Sequence, residues 1–134
     1  MEQHASEEEE EELEYEMEVC HVTKDLVFHI CTILPPPLEY LTRLRVKKEE
    51  ISGRRVWSGS LLLSVFLRSN PHRYYCFCKN KHHLRTLELG SGTGILGMTL
   101  STLILPSSTS MVVCMTDGDA VAVDLLQQNL QYNQ

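Results

Sequence analysis

Residues 86–97 read TLELGSGTGILG, and no other stretch constrains the fold of this chain as tightly. An apolar run from Leu84 to Leu89, interrupted by one carboxylate at Glu88, gives way to three glycines at alternate positions, Gly90, Gly92 and Gly94. From Ile95 to Leu105 nearly every residue is apolar or small, so the pattern predicts a strand, a tight turn and a buried helix. Glycine serves such a turn in two ways: it reverses the chain where a Cβ would clash, and it lets bare backbone approach a ligand. The three parts make the opening half of a nucleotide-type βα unit.

Charge and register narrow the choice of ligand. Gly92, Gly94 and Gly97 also satisfy the dinucleotide spacing G-x-G-x-x-G, which alone is a weak signal. The strand runs directly into Gly90, so a dinucleotide fingerprint would start one glycine late, and Glu88 stands where a pyrophosphate would approach. Between Thr86 and Gln134 there are four acidic residues and no Lys or Arg. A phosphate would find only backbone N–H groups and a helix N-terminus, against a repelling carboxylate. S-adenosylmethionine carries an ammonium and a sulfonium and no phosphate, so the charge pattern selects it over NAD.

The following segment supports that choice. Met111 to Thr116, MVVCMT, suits a strand buried on both faces. It ends in Asp117-Gly118-Asp119, where a carboxylate can accept hydrogen bonds from ribose hydroxyls. The interval from Gly90 to Asp117 is 27 positions, lengthened by a Pro/Ser/Thr loop at Pro106 to Ser110. Ala120 to Tyr132 then carries Val121, Val123, Leu125, Leu126 and Leu130 as an amphipathic helix, with Asp119 placed to cap it.

ELGSGTG at Glu88 to Gly94, TDGD at Thr116 to Asp119 and RVWSGSLLL at Arg55 to Leu63 together resemble the seven-β-strand, class I methyltransferases that modify protein lysines. That group includes the calmodulin-lysine and elongation-factor-lysine N-methyltransferases, and the likeness covers roughly residues 19 to 134. The resemblance implies S-adenosyl-L-methionine as cofactor and a protein lysine as methyl acceptor. It implies that Gly90, Ser91 and Gly92 wrap the methionine part, with Glu88 and Gly94 in the same set, that Asp117 binds the ribose, and that Trp57 walls the pocket. In the family, adenine contacts follow the third strand, and an acidic or Asn residue with an aromatic partner after the fourth lines the lysine channel. No position here matches those, so no catalytic residue is assigned. The chain is expected to be the front part of a methyltransferase, inactive as it stands.

The expected fold is α/β: a partial Rossmann-like, doubly wound sheet of two βα units, preceded by a β-hairpin and a helix. Residues 1–18 hold ten of eighteen acidic residues and no Lys or Arg, which predicts a disordered, solvated tail. Residues 19–54 are read as a hairpin extension, from Val19 to Leu34 with a turn at Thr23-Lys24-Asp25, ended by Pro35-Pro36-Pro37. Residues 55–134 are read as the N-terminal part of the cofactor domain. There Ser58 and Ser60 are candidate caps of an apolar helix, and residues 69–83 form a linker.

Residues 19–85 hold all twelve Lys and Arg against four acidic residues, but the basic residues are scattered, so a solvated surface is expected and nucleic-acid binding is not. His72, Cys76, Cys78, His82 and His83 lack the paired spacing of structural zinc sites, and no metal is expected. No apolar run approaches membrane-spanning length, and five irregularly spaced cysteines suit a reducing, cytoplasmic or nuclear setting. The competing reading is a non-catalytic fragment or isoform acting as a cofactor- or protein-binding module.

Overall fold

The structure is a computed structural model that describes residues 13–35, 52–78, 81–103, 105 and 109–134, without the side chains of 75–78. Most of the expected acidic tail, the segment 36–51 with Pro36 and Pro37, part of the Pro106 to Ser110 loop and the Cys76 and Cys78 thiols lie outside the described residues.

The chain opens with an antiparallel hairpin of β1 (Tyr15–Thr23) and β2 (Leu26–Ile33), turning at Lys24-Asp25. β1 starts inside the stretch expected to be tail, which moves the boundary at residue 18. Tyr15 and Met17 alternate with Glu16 and Glu18 and pair across the ladder with Ile33 and Cys31, so cross-strand partners outweigh the local charge. Two helices follow, α1 (Ser58–Ser69) and α2 (Pro71–Cys78). The expected serine caps of α1 are not used; Trp57 holds the N-cap position without a side-chain bond. Part of the expected linker is α2, which starts on Pro71, a residue preorganised for the first helical position.

β3 (His83–Leu89), α3 (Ile95–Ser101), β4 (Ser110–Thr116) and α4 (Ala120–Tyr132) complete the chain. β3 and β4 run parallel, in register from His83 opposite Ser110 to Leu89 opposite Thr116. The molecule is therefore α/β, with two two-stranded sheets among the described residues. β4 is not covered on both faces as expected. Leu84, Thr86, Glu88, Met111, Val113 and Met115 are half-buried, whereas Leu87, Leu89 and Val112 on the opposite face are 61%, 77% and 62% exposed. No helix among the described residues is long and apolar enough to cross a membrane.

The hairpin is central to the core. Cys20, Val22, Phe28 and Ile30 pack with Ile95 and Met98 of α3, and Leu61 and Val65 of α1 close over them. A second cluster joins Cys31 and Ile33 of β2 to Leu125 of α4. The edge of β2 away from β1 is met by side-chain amides. The Cys31 N–H donates to Asn129 Oδ1 (2.6 Å) and Asn129 Nδ2 donates back to the Cys31 carbonyl (3.1 Å). Asn133 repeats the exchange at His29, at 2.9 and 2.8 Å. Two residues along a strand advance about 6.7 Å and four along a helix about 6 Å, so asparagines four apart match alternate peptides of β2.

α3 lies close on the sheet because Gly97 has no side chain. A Cβ there would overlap Met115 Sδ and Cγ and stand 2.7 Å from Glu88 Oε2. The buried Thr99 and the neighbouring Ser101 donate their hydroxyls to the carbonyls of Ile95 and Gly97, which keeps these polar residues satisfied. Gly97→Ala should lower unfolding stability by about 1–3 kcal/mol through overpacking. Gly59→Ala, in α1 with nothing within 4 Å of the added carbon, should be neutral or stabilising. Urea unfolding of both variants measures the difference.

Candidate functional site

The turn between β3 and α3 uses left-handed backbone at three places, with φ of 65° at Gly90, 51° at Gly92 and 88° at Gly94. Residues with a Cβ avoid this region, which explains the alternate spacing. The positions differ in surroundings. A Cβ at Gly92 would stand 3.1 Å from the Gly53 carbonyl oxygen and one at Gly94 3.3 Å from Leu126 Cγ, whereas Gly90 has nothing within 4 Å. Gly90 is thus the open point of the turn.

Hydrogen bonds join the turn to the ends of both strands. The Ser91 N–H donates to the Thr116 carbonyl (2.8 Å), and Ser91 Oγ accepts from the Thr116 N–H (3.0 Å) while donating to the Glu88 carbonyl (3.3 Å). The Gly92 N–H donates to Asp117 Oδ2 at 2.8 Å, and the Asp119 N–H donates to Asp117 Oδ1 at 3.0 Å. Each Asp117 oxygen accepts one backbone N–H and keeps a lone pair for another donor. The Gly94 N–H donates to the Ser91 carbonyl at 2.9 Å.

An upstream segment closes on this carboxylate. Residues 52–54 form a single 3-10 turn, and a Cβ on Gly53 would stand 3.5 and 3.6 Å from the two Asp117 oxygens. The Trp57 indole N–H donates to the Ser52 carbonyl at 2.7 Å and leaves the ring 56% exposed beside the turn it anchors. Arg54 Nε pairs with Asp119 Oδ2 at 2.9 Å, and Asp119 Oδ1 caps α4 through the Val121 N–H at 3.0 Å.

Gly90, Ser91, Gly92, Gly94 and Asp117 therefore form one constellation, joined to Trp57 through residues 52–54. Glu88 stands apart: its carboxylate lies on the covered face of the sheet, beneath Gly97, and not at the mouth of the turn. Sequence reasoning missed Gly53, Arg54 and Asn129. Arg54 reads in the sequence as one of many scattered basic residues, and Asn129 as a polar position of an amphipathic helix with Asn133 just past its end; their four-residue spacing is the available signal. A groove of about 300 Å³ lies away from this constellation, between Leu13 and Tyr15 and the face of α4 bearing Val121, Asp124 and Gln128. No three His, Cys, Asp or Glu side chains converge as a metal requires among the described residues.

Glu88 Oε2 is buried without a hydrogen-bond partner. Burial raises the carboxyl pKa above its ordinary value of 4.5, partly offset by the Ser91 side chain and the Gly97 N–H. A raised carboxyl binds its proton more readily in the folded state, so the ionised form opposes folding at neutral pH. That penalty is released as pH falls through the raised pKa toward 4.5. Glu88→Gln should equal or exceed the wild type in stability at neutral pH, with the wild type gaining on it over that descent. Urea unfolding across the pH series checks the sign.

Comparison with protein-family models matches residues 40–134 to a family described as lysine methyltransferase. Comparisons with curated proteins and with solved structures gave no match. The matched span contains Trp57, the glycine turn and Asp117, and it covers more than half of the 134 residues. The chain belongs to the lysine methyltransferase family.

Proposed function

We propose that this protein binds S-adenosylmethionine at the glycine turn of a partial Rossmann-like domain, and that the reaction served is N-methylation of a protein lysine. One observation carries the choice of cofactor. The N–H groups of Ser91, Gly92 and Gly94 are all donated within the protein, to Thr116, Asp117 and Ser91. A pyrophosphate needs such donors open toward it. A phosphate-free nucleoside needs close backbone and an acceptor for its ribose, which open Gly90 and the Asp117 carboxylate provide.

The remaining residues fit a cationic ligand. Glu88 is a half-buried carboxylate behind the turn with Oε2 enclosed, and a cationic ligand beside the turn would offset the energy of keeping it ionised. Arg54 brings a cation to the neighbourhood, and Asp119 neutralises it through a single contact at Nε. Gly53 backs Asp117, and the exposed Trp57 ring offers an apolar wall. When bound, the cofactor would supply a methyl carbon on positive sulfur for a neutral lysine nitrogen, the positive charge passing to that nitrogen and the sulfur leaving as a thioether. The chain's own part is positioning, and no described residue is assigned as a general base.

The acceptor is read as a protein from the family, and a cytoplasmic or nuclear setting goes with that reading. A second reading, a non-catalytic cofactor- or protein-binding module, is favoured by the exposed Leu87, Leu89 and Val112, because parallel sheets are normally covered on both faces.

Titration calorimetry with S-adenosylhomocysteine and with NAD tests the assignment. Binding of the first alone is expected; binding of NAD alone refutes it. Asp117→Ala should weaken S-adenosylhomocysteine binding by about 1–3 kcal/mol, the scale for leaving polar partners unpaired. An unchanged dissociation constant removes Asp117 from the ribose. Methyl transfer to lysine-bearing protein, followed with labelled donor, separates the enzyme from the module.

A further inference from the structure

The Asn129 amide makes a third hydrogen bond, and this one leaves the hairpin. Its Nδ2 donates both to the Cys31 carbonyl and to the carbonyl of Thr93, inside the glycine turn, each at 3.1 Å. Asn129 is 0% exposed, Thr93 3% and Cys31 7%, so water cannot replace these partners. The pairing also defines the amide's orientation. Reversed, it would set Nδ2 against the Cys31 N–H and Oδ1 against two carbonyls. One acceptor and two donors on a short stem are what an asparagine supplies; an aspartate lacks the donors and a leucine lacks all three.

We propose that Asn129 is a positioning residue for the cofactor turn, and that through it the β1–β2 hairpin is part of the binding framework and not an appendage. This rests on reading the glycine turn as the cofactor site. The turn is anchored from the strand side by Ser91 and Asp117, which meet Thr116 and Gly92. Thr93 lies between Gly92 and Gly94, and its carbonyl is held from the opposite side, by the residue that closes the edge of β2. Leu126, one turn earlier on α4, packs where a Cβ of Gly94 would stand, so α4 meets the turn at two successive residues. Ala122, Leu126 and Asn129 form one stripe of α4 that continues to its C-cap Asn133, and of these Leu126 and Asn129 face the turn.

Asn133 is the internal control. It bonds the His29 peptide as Asn129 bonds that of Cys31, and its other bond goes to the Asn129 carbonyl and not to the turn. His29 is exposed, so water can take over its peptide groups.

Two measurements test the proposal. The first needs neither ligand nor variant: native-state hydrogen exchange of the wild type in low urea. The amides of Cys31, Gly92 and Gly94 should open as one unit. Opening of the turn amides while Cys31 stays protected overturns the coupling. The second compares Asn129→Ser and Asn133→Ala by S-adenosylhomocysteine titration. Asn129→Ser should raise the dissociation constant roughly tenfold or more, as for loss of a buried hydrogen bond at the site. Asn133→Ala should leave it within about twofold, because its bonds go to the exposed His29 peptide and to the Asn129 carbonyl and none reaches the turn. Equal affinity losses in the two variants, or none in Asn129→Ser, refute the positioning role. If the wild type binds no S-adenosylhomocysteine, the cofactor reading fails, and exchange alone decides whether turn and hairpin are one unit. An Asn129→Ser chain that does not fold leaves the wild-type exchange result decisive.

Discussion

Where two parallel strands end side by side, their last peptide groups must find partners other than each other, and the architecture of this site follows from that requirement. Ser91 meets it for Thr116 with both its backbone N–H and its hydroxyl, and the Thr116 hydroxyl returns a bond to the Glu88 carbonyl. Once the strand ends are joined in this way, the chain must reverse within a few residues. Left-handed backbone at Gly90, Gly92 and Gly94 is the available geometry. Asp117, one residue past β4, then reaches the Gly92 N–H, so the carboxylate is oriented by the same closure that forms the turn.

The hairpin adds a constraint that a simple βα unit lacks. Its inner residues occupy the space under α1 and α3, with Ile30 and Ile95 0% and 1% exposed, so the helix that begins at the turn is seated on β1 and β2 as well as on its own sheet. Apolar packing of this kind is permissive about register and angle. The pair formed by Asn129 of α4 and its C-cap Asn133 is not, because amide groups must meet peptide groups at hydrogen-bond distance. Directional bonds at Cys31, His29 and Thr93 thus specify how helix, hairpin and turn meet, while the core supplies most of the burial.

Charge is distributed with the same economy. Arg54 and Asp119 neutralise one another beside the turn, and Asp119 also closes the first turn of α4. Glu88 has no cationic partner in the described structure and lies under α3 with one oxygen enclosed. Enclosing that oxygen disfavours the ionised form and raises the carboxyl pKa.

Much of this was legible in the residues themselves. The strand, turn and helix around Gly90, the capping by Asp119 and the placement of Asp117 after the second strand are local properties, encoded by φ requirements and periodicity over a dozen residues. The start of β1 was not, because Tyr15 and Met17 become a strand only against Ile33 and Cys31, and a run of glutamates masks their alternation. Nor was the position of Glu88, since which side of a strand faces a helix depends on what packs there. Gly53, Arg54 and Asn129 reach the site across the chain, Arg54 from 65 residues before its partner Asp119 and Asn129 from 98 residues after Cys31. By itself the sequence determined that a glycine turn would form and which carboxylate would follow it, because short-range sterics decide both. Only the tertiary structure decided which groups close around that turn, because hydrogen bonds and packing between distant segments exist nowhere but in the folded chain.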